Sequence, residues 1–328
     1  MSKRPRIGVV GSSNVDLVTY VDRMPVWGET IAAPRFEMSH GGKGANQAVA
    51  AAKLGVAVVM VSKVGDDMLG DGVLQNFERT GVDARHVERA NGQSTGTATI
   101  LVDKSGDNCI LIVKGANGDL TPEDVERAGD DLKTCDLILT QLEVPLETVY
   151  ATLAFGKRHG VKTVLNPAPA VRDLDMERAR DASFLMPNET ELAILTRLPV
   201  ESEAEVAAAA HSLVGRGFEA VIVTLGARGA LIATPEGARR IAPVSRRSTP
   251  PAPATLSSAA SPATSLPAFP SMRRSPKRAA TPPSRSPGAG RRRPMRPRPS
   301  SKRSAPSSGE RTRRRSRSPS PARGRGLG

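Results

Sequence analysis

From Arg6 to Val244 the apolar positions alternate between two textures. Short, near-continuous runs rich in β-branched residues fall at Arg6–Val10, Ala57–Val61, Leu137–Thr140, Thr163–Leu165 and Ala220–Thr224. Between them, Ala48–Leu54, Gly70–Arg79, Leu146–His159 and Glu203–Arg216 carry apolar residues at helical spacing. Strands apolar on both faces and separated by helices predict a parallel sheet covered on both sides. Two β-like insertions break the alternation, one at about Val18–Phe36 and one at Gly96–Lys114 with Ser105-Gly106-Asp107-Asn108 as its turn. They predict a small second sheet, so the fold class is α/β with a second β layer. No repeat of solenoid length is present.

Past Val244 the pattern stops. Of the 47 Lys/Arg and 33 Asp/Glu that give the chain its net charge of +14, Ser245–Gly328 holds 21 basic residues and one acid, Glu310. That leaves 26 basic and 32 acidic residues in 1–244, a net of −6, against +20 for the tail. The tail is Ser, Pro, Arg and Ala text with too few large apolar residues to offset the entropy of ordering, and disorder is expected. The chain is therefore divided at 244/245. Two cysteines, Cys109 and Cys135, exclude a disulfide scaffold and a four-cysteine zinc site. His40, His86, His159 and His211 lack metal-ligand spacing. No apolar run reaches the roughly 18–20 residues of a membrane span, and a cytoplasmic protein without membrane contact is expected.

Four segments could carry chemistry. Gly41-Gly42-Lys43-Gly44-Ala45-Asn46-Gln47 leads into an Ala-rich helix. It reads either as a tight turn and cap or as a cradle of unpaired helix N–H groups for a ligand. Gly11-Ser12-Ser13-Asn14-Val15-Asp16 follows the first strand, where open α/β sheets bind ligands. Asn14 and Asp16 suit polyol hydroxyls, or form an Asx-turn. Glu143 stands just beyond the Leu137–Thr140 strand, and Asn188 and Glu191 open another helix. That last pair suits water-mediated Mg²⁺ binding, a capping box, or both. Thr224-Leu225-Gly226-Ala227-Arg228-Gly229 lies between two apolar strands, as a phosphate-facing loop or a simple hairpin.

In this order the motifs resemble the ribokinase branch of the PfkB family of sugar kinases, from about Arg6 to Val244. The resemblance implies a Rossmann-like α/β domain with a β-sheet lid that also makes a homodimer contact. It implies transfer of the γ-phosphoryl group of ATP to the 5-hydroxyl of D-ribose, with Mg²⁺ and a monovalent cation, K⁺, as activators. Carried over by motif, Asn14, Asp16, Gly42, Lys43, Gly44, Ala45, Asn46 and Glu143 would hold the sugar. Asn188 and Thr224, Leu225, Gly226, Ala227, Arg228 and Gly229 would contact ATP, with Glu191 ordering the waters of Mg²⁺.

The family's signature Asp-Thr-Thr-Gly-Ala-Gly-Asp, whose last Asp is the general base, is absent, as is the cation loop. In its expected place stands Thr249-Pro250-Pro251-Ala252-Pro253-Ala254-Thr255. If every codon is displaced by one base, Thr derives from Tyr, His, Asn or Asp. Pro then derives from Ser, Pro, Thr or Ala, and Ala from Cys, Arg, Ser or Gly. The signature satisfies the constraint at every position, with its base falling at the Ala254/Thr255 junction. The tail is thus expected to be a kinase C-terminus in the wrong frame, and the chain as written nearly inactive. The competing expectations are a kinase for another sugar or a nucleoside, and a non-catalytic sugar-binding body. In the latter, the Arg/Ser tail would hold nucleic acid nonspecifically by charge.

Overall fold

The computed structural model describes residues 4–243; the tail and the Ala254/Thr255 junction lie outside the described residues. The chain opens with β1 (Arg6–Val10), then β2 (Asn14–Tyr20) and β3 (Arg35–Gly41), and enters α1 (Lys43–Lys53). Next come β4 (Ala57–Gly65), α2 (Met68–Thr80), β5 (Val82–Ala90), β6 (Gly96–Val102) and β7 (Asn108–Val113). A 3-10 turn at Gly115–Asp119 leads to α3 (Pro122–Arg127) and α4 (Gly129–Leu132). The second half alternates β8 (Leu137–Gln141), α5 (Leu146–His159), β9 (Lys162–Asn166), α6 (Met176–Ala179) and β10 (Phe184–Leu185). It continues through α7 (Glu189–Thr196) and α8 (Glu203–Val214) to β11 (Ala220–Thr224), β12 (Ala230–Thr234) and β13 (Gly237–Ile241).

The main sheet runs β13-β12-β11-β10-β9-β8-β1-β4-β5, and from β11 to β5 every neighbouring pair is parallel. The chain builds outward from β1 to β4 and β5, then returns to the other side of β1 with β8. The seam between β1 and β8 is therefore the topological switch point, the place where such sheets leave a crevice at the C-terminal strand ends. Helix boundaries follow local chemistry. Asp67 caps α2 by accepting from the Gly70 N–H at 2.8 Å, and Gly81 ends it with φ +74°. Ser202 and Glu205 form the capping box of α8.

A second sheet, β3-β2-β6-β7, supplies the expected small layer, with corrected bounds. The first insertion was expected to be β over about Val18–Phe36. Instead β2 starts at Asn14 and β3 runs on to Gly41, with irregular chain between them. One face of this sheet is not free: Val15, Leu17 and Met38 pack with Val9, Met60 and Phe77 in a core under α1 and α2. Phe77 and Met60 are fully buried, each contributing about 1.5–3 kcal/mol. The larger core lies around β8–β12, α5 and α8. By contrast β7 is exposed along its whole length, from Asn108 to Val113.

The polar strand β5 was not expected. Its sequence, Val-Asp-Ala-Arg-His-Val-Glu-Arg-Ala, reads as surface chain, yet it pairs parallel with β4 at the sheet edge. Charged side chains on an edge strand block further pairing, which is why polarity masks it.

Candidate active site

Functional side chains gather where β1 and β8 end. Leaving β1, the chain crosses through Gly11, Ser12 and Ser13 into β2, so Asn14 and Asp16 lie on a strand and not in the Asx-turn considered above. Two residues apart, they share one face while Val15 points into the core. Just beyond β8, Glu143 Oε2 accepts from Ser12 Oγ at 2.5 Å and from the Lys43 N–H at 2.9 Å.

Those bonds favour the turn-and-cap reading of the Gly-rich stretch over the cradle of unpaired N–H groups. Helix α1 begins at Lys43, earlier than Ala48, so the Gly-rich stretch is mostly its first turn, with Gly42 as N-cap at φ +89°. The N–H groups of that turn are already occupied. Lys43 donates to Glu143, Gly44 to Ser12 Oγ at 3.3 Å, and Ala45 to the Ser12 carbonyl at 2.8 Å. A carboxylate at this helix N-terminus satisfies the dipole. With a second carboxylate beside it, the pocket has no vacancy for a phosphate.

Asp16 is that second carboxylate. Burial, followed by the negative charge of Glu143, pushes its pKa up to about 6. It makes no hydrogen bond among the described residues, and neither oxygen is sealed from solvent. A Cβ at Gly41 would lie 2.3–2.4 Å from its carboxyl atoms, so glycine there makes room for the group. An unpartnered, desolvated carboxylate is costly to leave bare and is satisfied by hydroxyl donors. Asn46 is half-buried on α1. The side chain of Ala45 is packed away, and Gly42 and Gly44 lie so close to Ser12–Asn14 that a Cβ at either would fall within 2.9 Å of their backbone.

The sequence shows neither Asn117 nor the hydrogen bonds that join the amides behind this cluster. Asn117, on the 3-10 turn, donates to Asn14 Oδ1 at 2.7 Å. Gln141, fully buried at the end of β8, donates to Gln47 Oε1 at 2.7 Å; Gln47 donates to Asn166 Oδ1 at 3.3 Å. Asn166 in turn donates to the Met186 carbonyl at 2.9 Å, which ties α1 to the chain preceding α7. Gln47 and Gln141 had a signal, their place beside motif residues, and Asn166 had one too, its place just after the Thr163–Leu165 strand. Asn117 had none, since the partners that tie it to the site, Ser13 and Asn14, lie over a hundred positions away.

The second cluster sits at the ends of β10 and β11. Asn188 Oδ1 accepts from the Glu191 N–H at 2.8 Å, and Glu191 Oε2 accepts from the Asn188 N–H at 2.9 Å, so the capping box is real. Burial raises the Glu191 pKa, opposed by the Asn188 bond and the nearby positive charge of Lys43. Its other oxygen makes no hydrogen bond among the described residues. The donor set therefore fits a hydrated Mg²⁺ held through water; no group of three metal-ligating side chains occurs among the described residues. Asn188 bridges to Thr224, placing the next loop alongside. That loop is a 3-10 turn at Gly226–Arg228 inside a hairpin, closed by Leu225 N–H to Gly229 O at 2.8 Å. Leu225 is buried in the core and Arg228 pairs with Glu189, so the loop presents Thr224 and its own backbone outward.

Fold and site define a class: an α/β body with a polar, carboxylate-bearing cluster at the switch point, a small second sheet that contributes Asn14 and Asp16 to it, and a glycine-containing hairpin loop at the ends of β10 and β11. Residues 4–249 match the pfkB family carbohydrate kinase model, and the chain belongs to this family of sugar kinases, phosphotransferases that use ATP. It is 53% identical over 225 residues to a deoxyribokinase of Salmonella typhi, covering 69% of this chain and 74% of that protein. It is 39% identical over 224 residues to a ribokinase of Mus musculus, covering 68% and 69% respectively. The solved structure of Arabidopsis thaliana ribokinase complexed with ribose and ATP superposes with a TM-score of 0.70 at 29% identity, covering 75% of this chain and 80% of that one. No helix among the described residues is long and apolar enough to cross a membrane.

Proposed function

We propose that the chain is built to phosphorylate the 5-hydroxyl of a five-carbon sugar from ATP, with 2-deoxy-D-ribose ahead of D-ribose. The observation that carries this reading is the pocket at the β1/β8 seam, where an unpartnered carboxylate, Asp16, and a second one, Glu143, face space with no free helix N–H groups. Such a pocket rewards neutral hydroxyl donors and repels phosphate. The 53% identity to a deoxyribokinase puts the deoxy sugar first, and the resemblance to ribokinases keeps D-ribose second. Asn14, Asp16, Asn46 and Glu143 act on the hydroxyls, while Gly42, Lys43, Gly44 and Ala45 form the wall. Asn188 and the Thr224–Gly229 loop take ATP. Glu191 and Asn188 hold the waters of Mg²⁺, which supplies charge neutralisation on the phosphates when bound.

The general base and the K⁺ loop belong to the part of the gene read out of frame beyond Val244, so the chain as written binds sugar and turns over slowly at best. The exposed apolar edge Ile110–Val113 of β7 is the homodimer contact, and a cytoplasmic location suits ATP-dependent chemistry. Beside this reading stands one for the tail, whose net charge of +20 makes it adhere to nucleic acid at low salt. Isothermal titration of the full chain with 2-deoxy-D-ribose, D-ribose and inosine tests the site. Pentose binding that disappears in Asp16→Asn is expected, and a chain that binds only inosine, or nothing, contradicts the proposal.

A further inference from the structure

We infer that Asn117 sets the hydrogen-bond polarity of the sugar pocket: it occupies the carbonyl of Asn14 and thereby makes Asn14 a pure donor toward the ligand, beside Asp16 as the acceptor. This rests on the reading of the β1/β8 seam as the sugar site. An asparagine amide can normally face a ligand either way round, with its oxygen or its nitrogen. Here the choice is fixed by backbone. The Ser13 N–H donates to Asn117 Oδ1 at 2.8 Å, and an N–H cannot do otherwise, so that end of Asn117 is the carbonyl. Its other end is the NH₂ group, which reaches the Ser13 carbonyl at 3.1 Å, the Lys114 carbonyl at 3.1 Å and Asn14 at 2.7 Å. Facing a donor, Asn14 must offer its oxygen.

The NH₂ group of Asn14 consequently points away from Asn117. It makes no hydrogen bond among the described residues and is not sealed from solvent. Glycine geometry enforces the arrangement. A Cβ at Gly96 would lie 2.2 Å from Asn117 Nδ2 and 2.3 Å from Asn14 Oδ1. Gly115, at φ +49°, brings its turn against the Ser94 carbonyl, where a Cβ would lie 2.2 Å away. Asn117 itself is 2% exposed and cannot reach a ligand, so its part is that of a positioning residue. The ligand that fits has a group able to accept from Asn14 and one able to donate to Asp16. Neighbouring hydroxyls, or a single hydroxyl doing both, meet that demand; an ammonium group does not.

Asn117→Asp is the diagnostic variant. It keeps the acceptor for the Ser13 N–H but turns a carboxylate oxygen toward Asn14, whose amide then reverses and shows the ligand its carbonyl. The full chain and its Asn117→Asp, Asn14→Ala, double and Asp16→Asn variants are titrated with 2-deoxy-D-ribose and D-ribose. Loss of about tenfold in affinity is expected for Asn117→Asp, similar to Asn14→Ala, with the double variant no weaker than Asn14→Ala alone. A merely structural role would give losses that add. Wild-type affinity in a folded Asn117→Asp chain, or additive losses, overturns the inference. If the wild-type chain takes up neither sugar, the sugar reading fails instead. The side-chain amide spectrum of the ligand-free chain then decides the polarity: solvent-exchanging Asn14 NH₂ protons support it, protected ones refute it. The same spectrum decides if Asn117→Asp does not fold.

Discussion

The two ends of the site are built on different principles. At the β1/β8 seam, four separate stretches of chain interlock through side-chain hydrogen bonds, Ser12–Asp16, Gly41–Gln47, Asn117 and Gln141–Glu143, with Gly96 leaving room for the Asn14–Asn117 bond. At the β10/β11 ends, one capping box is fixed, while Thr224 and Gly226–Arg228 are exposed and the loop is shaped by Gly226 at φ +56° and Gly229 at φ +93°. On the proposed reading, with a sugar at one end and a nucleotide at the other, the contrast follows from the ligands. Neutral hydroxyls give little binding energy each, so their partners must be oriented and desolvated in advance. A polyphosphate brings charge and accepts from any backbone N–H, so a loop of the right shape suffices. Every bond of the interlocked cluster at the seam is made within the described residues. The nucleotide end leans on the last of them, since Gly229 packs against Ile241 and Pro243.

Removing the charge of Asp16 breaks the contrast most severely. Asp16→Asn is expected to weaken pentose binding by about a hundredfold or more, the loss of charge-assisted hydrogen bonds to hydroxyls. The same change raises stability at pH 7. The folded pKa of about 6 lies above the ordinary 3.8, so ionising Asp16 costs the folded state about 2–3 kcal/mol. That cost is absent well below 3.8, where the group is protonated in both states, grows as pH rises from there to about 6, and is constant above. Chemical denaturation at pH 7 and pH 4 checks it: a gain at pH 7 that is largely lost at pH 4.

Gly229→Ala attacks the other end. Its Cβ would meet the Ile241 carbonyl at 2.2 Å on a backbone with positive φ. A loss of about 2 kcal/mol in stability is expected, with weakened ATP binding and unchanged sugar affinity. Parallel titrations of ATP and pentose check the separation.

Glu143→Gln sharpens the picture within the sugar end. Wild-type pentose affinity should fall as pH drops through about 6, because Asp16 must be ionised to accept. Removing the Glu143 charge lowers that midpoint, while burial keeps it above the ordinary carboxylate value. A pH series of titrations reads the shift. Arg228→Ala is expected to do least, since its pairing with Glu189 is on the surface: under about 1 kcal/mol by thermal melt.

Much of the framework was legible because it is written in short-range pattern. Strands β1 and β11 and helix α5 fall where periodicity put them, and Asn188 and Glu191 form the capping box their spacing suggested. What escaped depends on partners far along the chain. The segment after β1 reads as a turn until β6 and β3 pair with it, at which point Asn14 and Asp16 become strand residues. The helix N–H groups at Lys43–Ala45 read as free until Ser12 and Glu143 arrive. Strand β5 is masked by the charges that protect a sheet edge.

The central claim is that a pentose site is complete here while the catalytic base has been displaced beyond Val244. It is tested by the rate of ATP-dependent phosphorylation of 2-deoxy-D-ribose and D-ribose. The chain as written is compared with one from a gene in which a single base is restored near codons 244–248. The account predicts turnover in the frame-restored chain and at most a trace in the chain as written, with similar sugar affinities in the two. Equal turnover in both, or none in a folded frame-restored chain that binds the sugar, would contradict it.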